Sequence, residues 1–457
     1  MNEAIRVSLV SLGCARNLVD SEVLLGHAAR EGLALVREPE DADVVVINTC
    51  GFIEEAKQES IDTILSACRL KEAGAVKGVI AVGCLAQRYA DDLRDELPEV
   101  DAILGISDYS GIPKVIRGVV NGSEERFVAT VDGGAPKAAR SDLGRALLTP
   151  KSYAYLRISE GCDHKCTFCA IPSMRGRNRS KPMDVLVEEA KDLAANGISE
   201  LVVVAEDSTA YGLDVERKRT LHVLLDQLSE VDGISWIRLM YAYPHTVGPE
   251  LTTVMRENDK IVPYLDIPIQ HVSSPMLRAM KRGVSSKQVT DILWRLRDEV
   301  PGIAVRTTMI TGFPGETDED FEVMRDLVES YRFERLGVFT YSAEEGTPAF
   351  DLGDPVPPEV AEDRRGHIMT LQRDITIAHN EAMVGKTVPV LVDGRHPDSA
   401  APADRAYVGR TMSDAPEVDC QVFLADCGVS SGDVVLARID SVQDYDLSAH
   451  VESPSTP

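Results

Sequence analysis

Three cysteines within eight residues decide much of what this chain can become. They lie in RISEGCDHKCTFCAIPSMRGRNRS, residues 157–180, where Cys162, Cys166 and Cys169 are spaced CxxxCxxC. A short irregular loop can turn three such thiolates toward one point, and soft sulfur ligands suit iron-sulfur chemistry. The triplet can therefore hold three irons of a 4Fe-4S cubane. The fourth iron then has no protein ligand, and an open metal position is where a substrate or cofactor binds. A structural zinc site with His164 as the fourth ligand is the competing reading. Zinc favours CxxC pairs that occur twice and close a tetrahedron; no second pair lies nearby, and His164 sits between two of the cysteines, where the loop would have to fold back sharply. The spacing favours the cluster.

Three further cysteines occupy equivalent places in a repeating pattern. From about residue 4 to 120 short apolar runs alternate with helical periods: VSLVSLG, VVVINT, GVIAVGC and AILG, with helices between them. Such runs indicate parallel strands covered on both faces, a doubly wound α/β domain. Cys14 closes SLGC, Cys50 closes INTC and Cys84 closes AVGC. The carboxyl ends of strands in such a sheet share one edge, where ligands bind, so these three thiols converge on a second metal site. Cys68 is the control: it follows Ile61, Ile64 and Leu65 at helical spacing and reads as a small core hydrophobe.

A segment rich in Gly, Ala, Ser and charge, 121–151, reads as a linker with one strand, RFVATV. Six more strand patterns follow over 152–378, AYLRIS, ELVVVA, SWIRLMY, YLDIPI, AVRTTMI and RLGVFTY, which suggest an incomplete parallel β/α barrel with its chemistry on the loops at the strands' carboxyl ends. Those ends carry Glu206, Asp207 and Thr209; Tyr241, Tyr243 and His245; Gln270 and His271; Thr311 and Gly312 in ITGFPGET; and YSAEEGT. ITGFPGET lacks the GxxxxGK[ST] pattern of a phosphate-binding P-loop. Beyond a helix near 361–383 the periodicity changes to short alternating runs, a small antiparallel barrel over 379–446, followed by a tail, 447–457. Cys420 and Cys427, six residues apart, read as core or surface cysteines rather than a metal pair.

Acidic residues outnumber basic ones 74 to 48, for a net charge of -26, which argues against tight binding to naked nucleic acid. The C-terminal stretch from Glu381 shares this balance, with 13 acidic against 5 basic residues. No apolar run approaches the length of a membrane span, and nine cysteines in unrelated spacings do not form a disulfide framework, which together point to the cytoplasm.

The CxxxCxxC triplet, with Phe168 before its last cysteine, resembles the signature of the radical S-adenosylmethionine enzymes. Their open iron chelates the amino and carboxylate groups of that cofactor. SLGCARNLVDSE at 11–22, INTCGFI at 47–53 and GCLAQRY at 83–89 resemble the N-terminal domain of the methylthiotransferases within that group. So do IPSMRGRNRS, DIPIQHVSSPMLRAMKR and GFPGETDEDF further on. The resemblance implies two 4Fe-4S clusters, on Cys162, Cys166 and Cys169 and on Cys14, Cys50 and Cys84. It also implies S-adenosylmethionine in a pocket to which Glu206, Asp207, Gln270, Thr311 and Gly312 are assigned, a low-potential electron donor, and a C-terminal TRAM-like domain. Asn17 and Asn48 fall in the matching motifs, either as polar groups near the auxiliary cluster or as turn-formers. Glu206 departs from the usual Gln-Asp-Thr of the group. The opening motif, YAYP after the third barrel strand and GRTMSDAPEVD at 409–419 look most like the members that place a methylthio group on the β-carbon of an aspartate in ribosomal protein S12. The alternatives are methylthiotransferases acting on a transfer-RNA adenosine and a non-catalytic cluster carrier.

Overall fold

The structure, a computed structural model, describes residues 4–106, 109–122, 127–129, 139–398, 401–425 and 428–454. Its first sheet contains β1 (Arg6–Ser11), β2 (Ala34–Leu35), β3 (Val44–Thr49), β4 (Gly78–Gly83), β5 (Ala102–Leu104) and β6 (Phe127–Ala129), all parallel, in the order β2-β1-β3-β4-β5-β6. β3 and β4 are buried at every position, as strands covered on both faces must be. Between β4 and β5 the chain forms two short helices, Cys84–Arg88 and Ala90–Glu96, broken at Tyr89. β6 extends this sheet past the boundary expected at residue 120, because β5 offers it a free edge.

The central domain is the expected incomplete barrel. β7 (Tyr153–Arg157) is followed by a two-stranded ribbon of β8 (Ser159–Glu160) and β9 (Arg179–Ser180), which brackets the cysteine loop. β10 (Glu200–Val204), β11 (Trp236–Leu239), β12 (Ile261–Asp266), β13 (Ala304–Thr311) and β14 (Arg335–Thr340) complete an open parallel sheet in the order β14-β13-β12-β11-β10-β7. On its inner face Tyr153, Tyr155, Val202, Val204, Trp236, Met240 and Tyr264 form one apolar cluster with Val19 of the first helix, Ala15–Arg30, and with Leu391 and Ala415 of the C-terminal domain. Both flanking domains thus complete the barrel's interior.

The C-terminal domain is a closed barrel of β15 (Thr387–Arg395), β16 (Tyr407–Thr411), β17 (Val422–Leu424), β18 (Val434–Gln443) and β19 (Asp446–Pro454), antiparallel except for the β17–β19 pair. The segment expected as a tail is therefore a structural strand through Pro454. Leu447 and Ala449 alternate into the core and β19 pairs with two neighbours. Cys420 is buried, while Cys427 lies outside the described residues.

The loop after β16 plugs the end of the central barrel where its strands begin. Arg335 donates to Asp414 at 2.5 and 2.9 Å, Tyr264 donates to Asp419 at 2.7 Å, and Tyr153 and Tyr155 donate to Glu417 at 3.0 and 3.1 Å. Glu200, fully buried, is shared by Arg238 at 2.7 Å and Arg410 at 2.8 Å. Among the described residues no helix is long and apolar enough to cross a membrane. A buried charge that loses its partner costs more than the pair contributes, about 3–5 kcal/mol. Asp414→Ala is expected to destabilise docking of the C-terminal barrel by about that amount, and the double change Arg335→Met with Asp414→Leu by less. Denaturant titration with limited proteolysis of the 379–386 junction checks the order of the two effects.

Candidate active site

β1, β3 and β4 are neighbours in the first sheet, so the residues after their carboxyl ends meet. Cys14 caps the first helix, Cys50 follows β3 directly, and Cys84 opens the helix after β4. The glycines before two of these thiols are required by crowding. A Cβ on Gly13, at φ +86°, would sit 2.9 Å from the Cys50 Cβ and 3.0 Å from its Sγ, and one on Gly83, at φ +97°, would sit 2.2 Å from Asn48 Oδ1. Asn17 laces the loops together: its Nδ2 donates to Leu12 O at 3.0 Å and Thr49 O at 2.9 Å, while its Oδ1 accepts from the Cys84 thiol at 3.5 Å. Asn48 donates to Asn17 O and Ser21 Oγ, both at 2.8 Å. The two asparagines are the scaffold of the thiol loops.

Around the second group, Cys162 N donates to Gly176 O at 3.0 Å, closing the loop beneath the β8–β9 ribbon. Arg282 donates to Cys166 Sγ at 3.3 Å and lies 4.2 Å over the Tyr243 ring. His164 does not join the thiols. Its ring stacks on Tyr243 at 3.6 Å, and its Nε2 pairs with Asp207 Oδ2 at 2.7 Å. Among the described residues no group of three His, Cys, Asp or Glu side chains encloses a single ion; in a cubane each thiolate instead meets a separate iron. Burial pushes the Cys50, Cys162 and Cys169 thiols up to about 12, so metal binding there would release protons.

The two cysteine groups face one another across the domain interface. Cys84 packs with Ala170 and Met174, just beyond Cys169, in one small apolar cluster. Arg175 reaches from that loop into the first domain, where its Nη2 lies 2.8 Å from Asn17 Oδ1, 2.8 Å from Asp20 Oδ2 and 3.5 Å from Cys84 Sγ. Asp20 also accepts from Arg157 at 2.5 Å. Arg16 pairs with Glu206 at 3.3 Å; its charge helps to lower the Cys14 thiol and offsets only a small part of the burial that raises Cys169. At Cys14 burial works to raise the thiol, but Arg16 and Arg175 outweigh it and hold it below the ordinary value. Arg16 Nε, Arg175 Nε and Nη1 and both Glu206 carboxylate oxygens are buried with no hydrogen-bond partner among the described residues. Free donors beside convergent thiols fit an anionic thiolate cluster.

Sequence comparison bears directly on this arrangement. Residues 6–105 match the Uncharacterized protein family UPF0004, 156–328 the Radical SAM superfamily and 384–451 the TRAM domain. Over 98% of its length the chain is 47% identical to ribosomal protein uS12 methylthiotransferase RimO of Anaeromyxobacter sp. (strain Fw109-5), covering 93% of that protein. The corresponding proteins of Myxococcus xanthus and Lachnoclostridium phytofermentans are 45% and 42% identical, over 97% and 98% of this chain and 91% and 100% of theirs. The chain belongs to the uS12 methylthiotransferase family. In fold it is similar to the radical S-adenosylmethionine methyltransferase TsrM of Kitasatospora setae, solved with cobalamin and a 4Fe-4S cluster bound, with a TM-score of 0.54 at 15% identity over 76% of this chain and 77% of that one.

Within this methylthiotransferase frame the residues assigned to the cofactor pocket divide. Glu206 faces the domain interface between Arg16 and Arg175. Asp207 is committed to His164 and, through Oδ1, to Thr209 N at 3.0 Å and the Thr209 hydroxyl. Gln270, half-buried at φ +70°, links β12 to β13 through its backbone. Thr311 is fully buried and donates to Ala361 O at 3.0 Å. A Cβ on Gly312, at φ +75°, would lie 2.3 Å from that of Ala361, so a side chain there strains the helix Pro358–Glu381 rather than entering a pocket. The ITGFPGET loop turns about Glu316, which accepts from Gly312 N at 2.7 Å, His271 Nε2 at 3.1 Å and Arg364 Nη1 at 2.7 Å. Sequence reasoning passes over Arg16, Arg175 and Arg282 because arginine is ordinarily a surface residue; for Arg16 and Arg175 closeness in sequence to Cys14 and Cys169 is the available signal, whereas Arg282 is distant from every cysteine in the chain and reaches Cys166 only through the fold.

Replacing Cys162, Cys166 and Cys169 with Ala is expected to remove about half of roughly eight irons per chain and all deoxyadenosine formation. Replacing Cys14, Cys50 and Cys84 should remove the other half and leave deoxyadenosine formation measurable. Cys68→Ala should leave iron content unchanged. Iron and sulfide analysis of reconstituted variants reads all three outcomes.

Proposed function

We propose that this chain transfers a methylthio group to the β-carbon of an aspartate in ribosomal protein uS12, in the cytoplasm, using S-adenosylmethionine, two 4Fe-4S clusters and a low-potential electron donor. The observation that carries this reading is the meeting of two three-cysteine groups from separate domains across one buried interface. The clusters that these cysteines would hold, together with S-adenosylmethionine, would supply a radical able to take hydrogen from an unactivated carbon and the sulfur that takes its place.

The chain's own residues prepare that chemistry. Arg282 and Tyr243 fix the Cys166 side of one group, and Asn17 and Arg175 fix the Cys84 side of the other. The loops carrying Asp207, Gln270 and Thr311–Gly312 frame the cofactor pocket. Asp207, Thr311 and Gly312 hold these loops in shape, and Gln270 ties its loop to β13 through its backbone. The plug formed by the C-terminal domain excludes water from the barrel end remote from the cysteines.

Reconstituted enzyme given S-adenosylmethionine and a reductant should release deoxyadenosine, which a passive cluster carrier would not. Mass spectrometry of ribosomal proteins and of transfer RNA from a deletion strain should show loss of one methylthio group, about 46 Da, from uS12 and none from transfer RNA. The reverse result would assign the chain to adenosine modification and sink the proposed substrate.

A further inference from the structure

Arg175 belongs by sequence to the loop of one cysteine group and by contact to the other. It follows Cys169 by six residues, yet its guanidinium, 1% exposed, lies 3.5 Å from Cys84 Sγ. Two of its nitrogens have no hydrogen-bond partner among the described residues. Facing it at 3.8 Å is Glu206, 3% exposed, whose two oxygens are likewise without hydrogen bonds. Arg16, at 3.3 Å from Glu206, is the other cation of the set. Asp20 holds Arg175 through Nη2, whereas Glu206 faces its Nε, and Arg157 shares the Asp20 carboxylate. A fixed charge in a water-poor interior acts far more strongly than at a surface, and net charge and hydrogen bonds at the sulfurs are what set iron-sulfur potentials.

We infer that Arg175 and Glu206 are opposed positioning residues that set how readily a cluster on Cys14, Cys50 and Cys84 accepts an electron. The inference rests on the two-cluster reading above. The cation beside Cys84 stabilises the reduced, more negative cluster; the carboxylate across from it does the reverse. Glu206 offsets part of the guanidinium's effect, so the auxiliary cluster is harder to reduce than it would be with a neutral side chain at that position.

The test uses the full chain with Cys162, Cys166 and Cys169 changed to Ala, so that any remaining cluster is the auxiliary one. It is poised against reduced methyl viologen, which delivers one electron per cluster, and followed by electron paramagnetic resonance. Arg175→Gln should shift the midpoint to more negative potential, lowering the ratio of reduced to oxidised cluster about tenfold at fixed viologen ratio. Glu206→Gln should shift it the opposite way. Midpoints that stay put, or move in the same direction in both variants, overturn the inference, because loosened packing would act on both alike. If Arg175→Gln fails to fold, Glu206→Gln decides alone: a rise supports the assignment and no rise overturns it. If the parent variant holds no iron, the two-cluster reading has failed and takes this inference with it, an outcome that iron analysis separates from an unshifted potential.

Discussion

A carboxylate shared by two guanidiniums at the domain interface is the contact on which the rest of the site depends. Asp20, on the first helix, accepts from Arg157 of β7 and from Arg175 of the loop beyond Cys169, and all three side chains are at most 2% exposed. Arg157 also pairs with Asp142 at 2.6 Å and Glu160 at 3.0 Å, and Lys181 joins Asp142 at 2.6 Å and Glu189 at 2.8 Å. Such networks contribute little net stability, because the attraction between the charges mostly repays their lost hydration. They do penalise every misaligned arrangement, since a slipped domain would strand a buried charge. The separation of two cysteine groups carried by different domains is thereby held to one value.

The same geometry explains which features were legible in the sequence. Strand-end cysteines could be recognised because β-strand periodicity puts Cys14, Cys50 and Cys84 at one structural position, and parallel topology then makes their strands neighbours. Cys68 packs in the core of the first domain, as its helical spacing implied. The incomplete barrel followed from six apolar runs of strand length. What stayed hidden depends on contacts between segments far apart in the chain. Nothing local marks Thr311 and Gly312 as partners of Ala361, fifty residues on. β19 alternates Leu447, Ala449 and Val451 with polar residues, so its strand pattern is legible; the tail expectation passes over it because the segment is short and ends the chain's pattern, and its place follows from pairing with β17 and β18.

Counted charge is a poor guide to the surface of the C-terminal domain. Of the acidic residues in its 409–419 stretch, Asp414 and Asp419 are buried against Arg335 and Arg306, and the Glu417 carboxylate is taken by two tyrosines. These groups hold domains together instead of recruiting a partner. Truncating the domain would leave Arg306 and Arg335 without their acidic partners in that loop, so loss of modification after truncation would report on folding as much as on recognition.

Position along the barrel settles how far the remaining acidic side chains of that domain could influence a substrate. The plug engages Tyr153, Glu200 and Arg335, each the first residue of its strand, whereas the cysteine loop and the polar loops follow the strands' last residues. Five or six residues of strand at about 3.3 Å each separate the two ends by roughly 17–20 Å, about two Debye lengths at physiological ionic strength. Exposed charge on the C-terminal domain is therefore largely screened at the reacting end. The groups nearest the two cysteine loops are those of the carboxyl-end mouth. There Phe339, on the edge strand β14 in register with Ile310, is 54% exposed, and Glu344 of the next loop is tied down by Arg88 and Lys57 of the first domain. The rim of that mouth is thus built jointly by the first two domains.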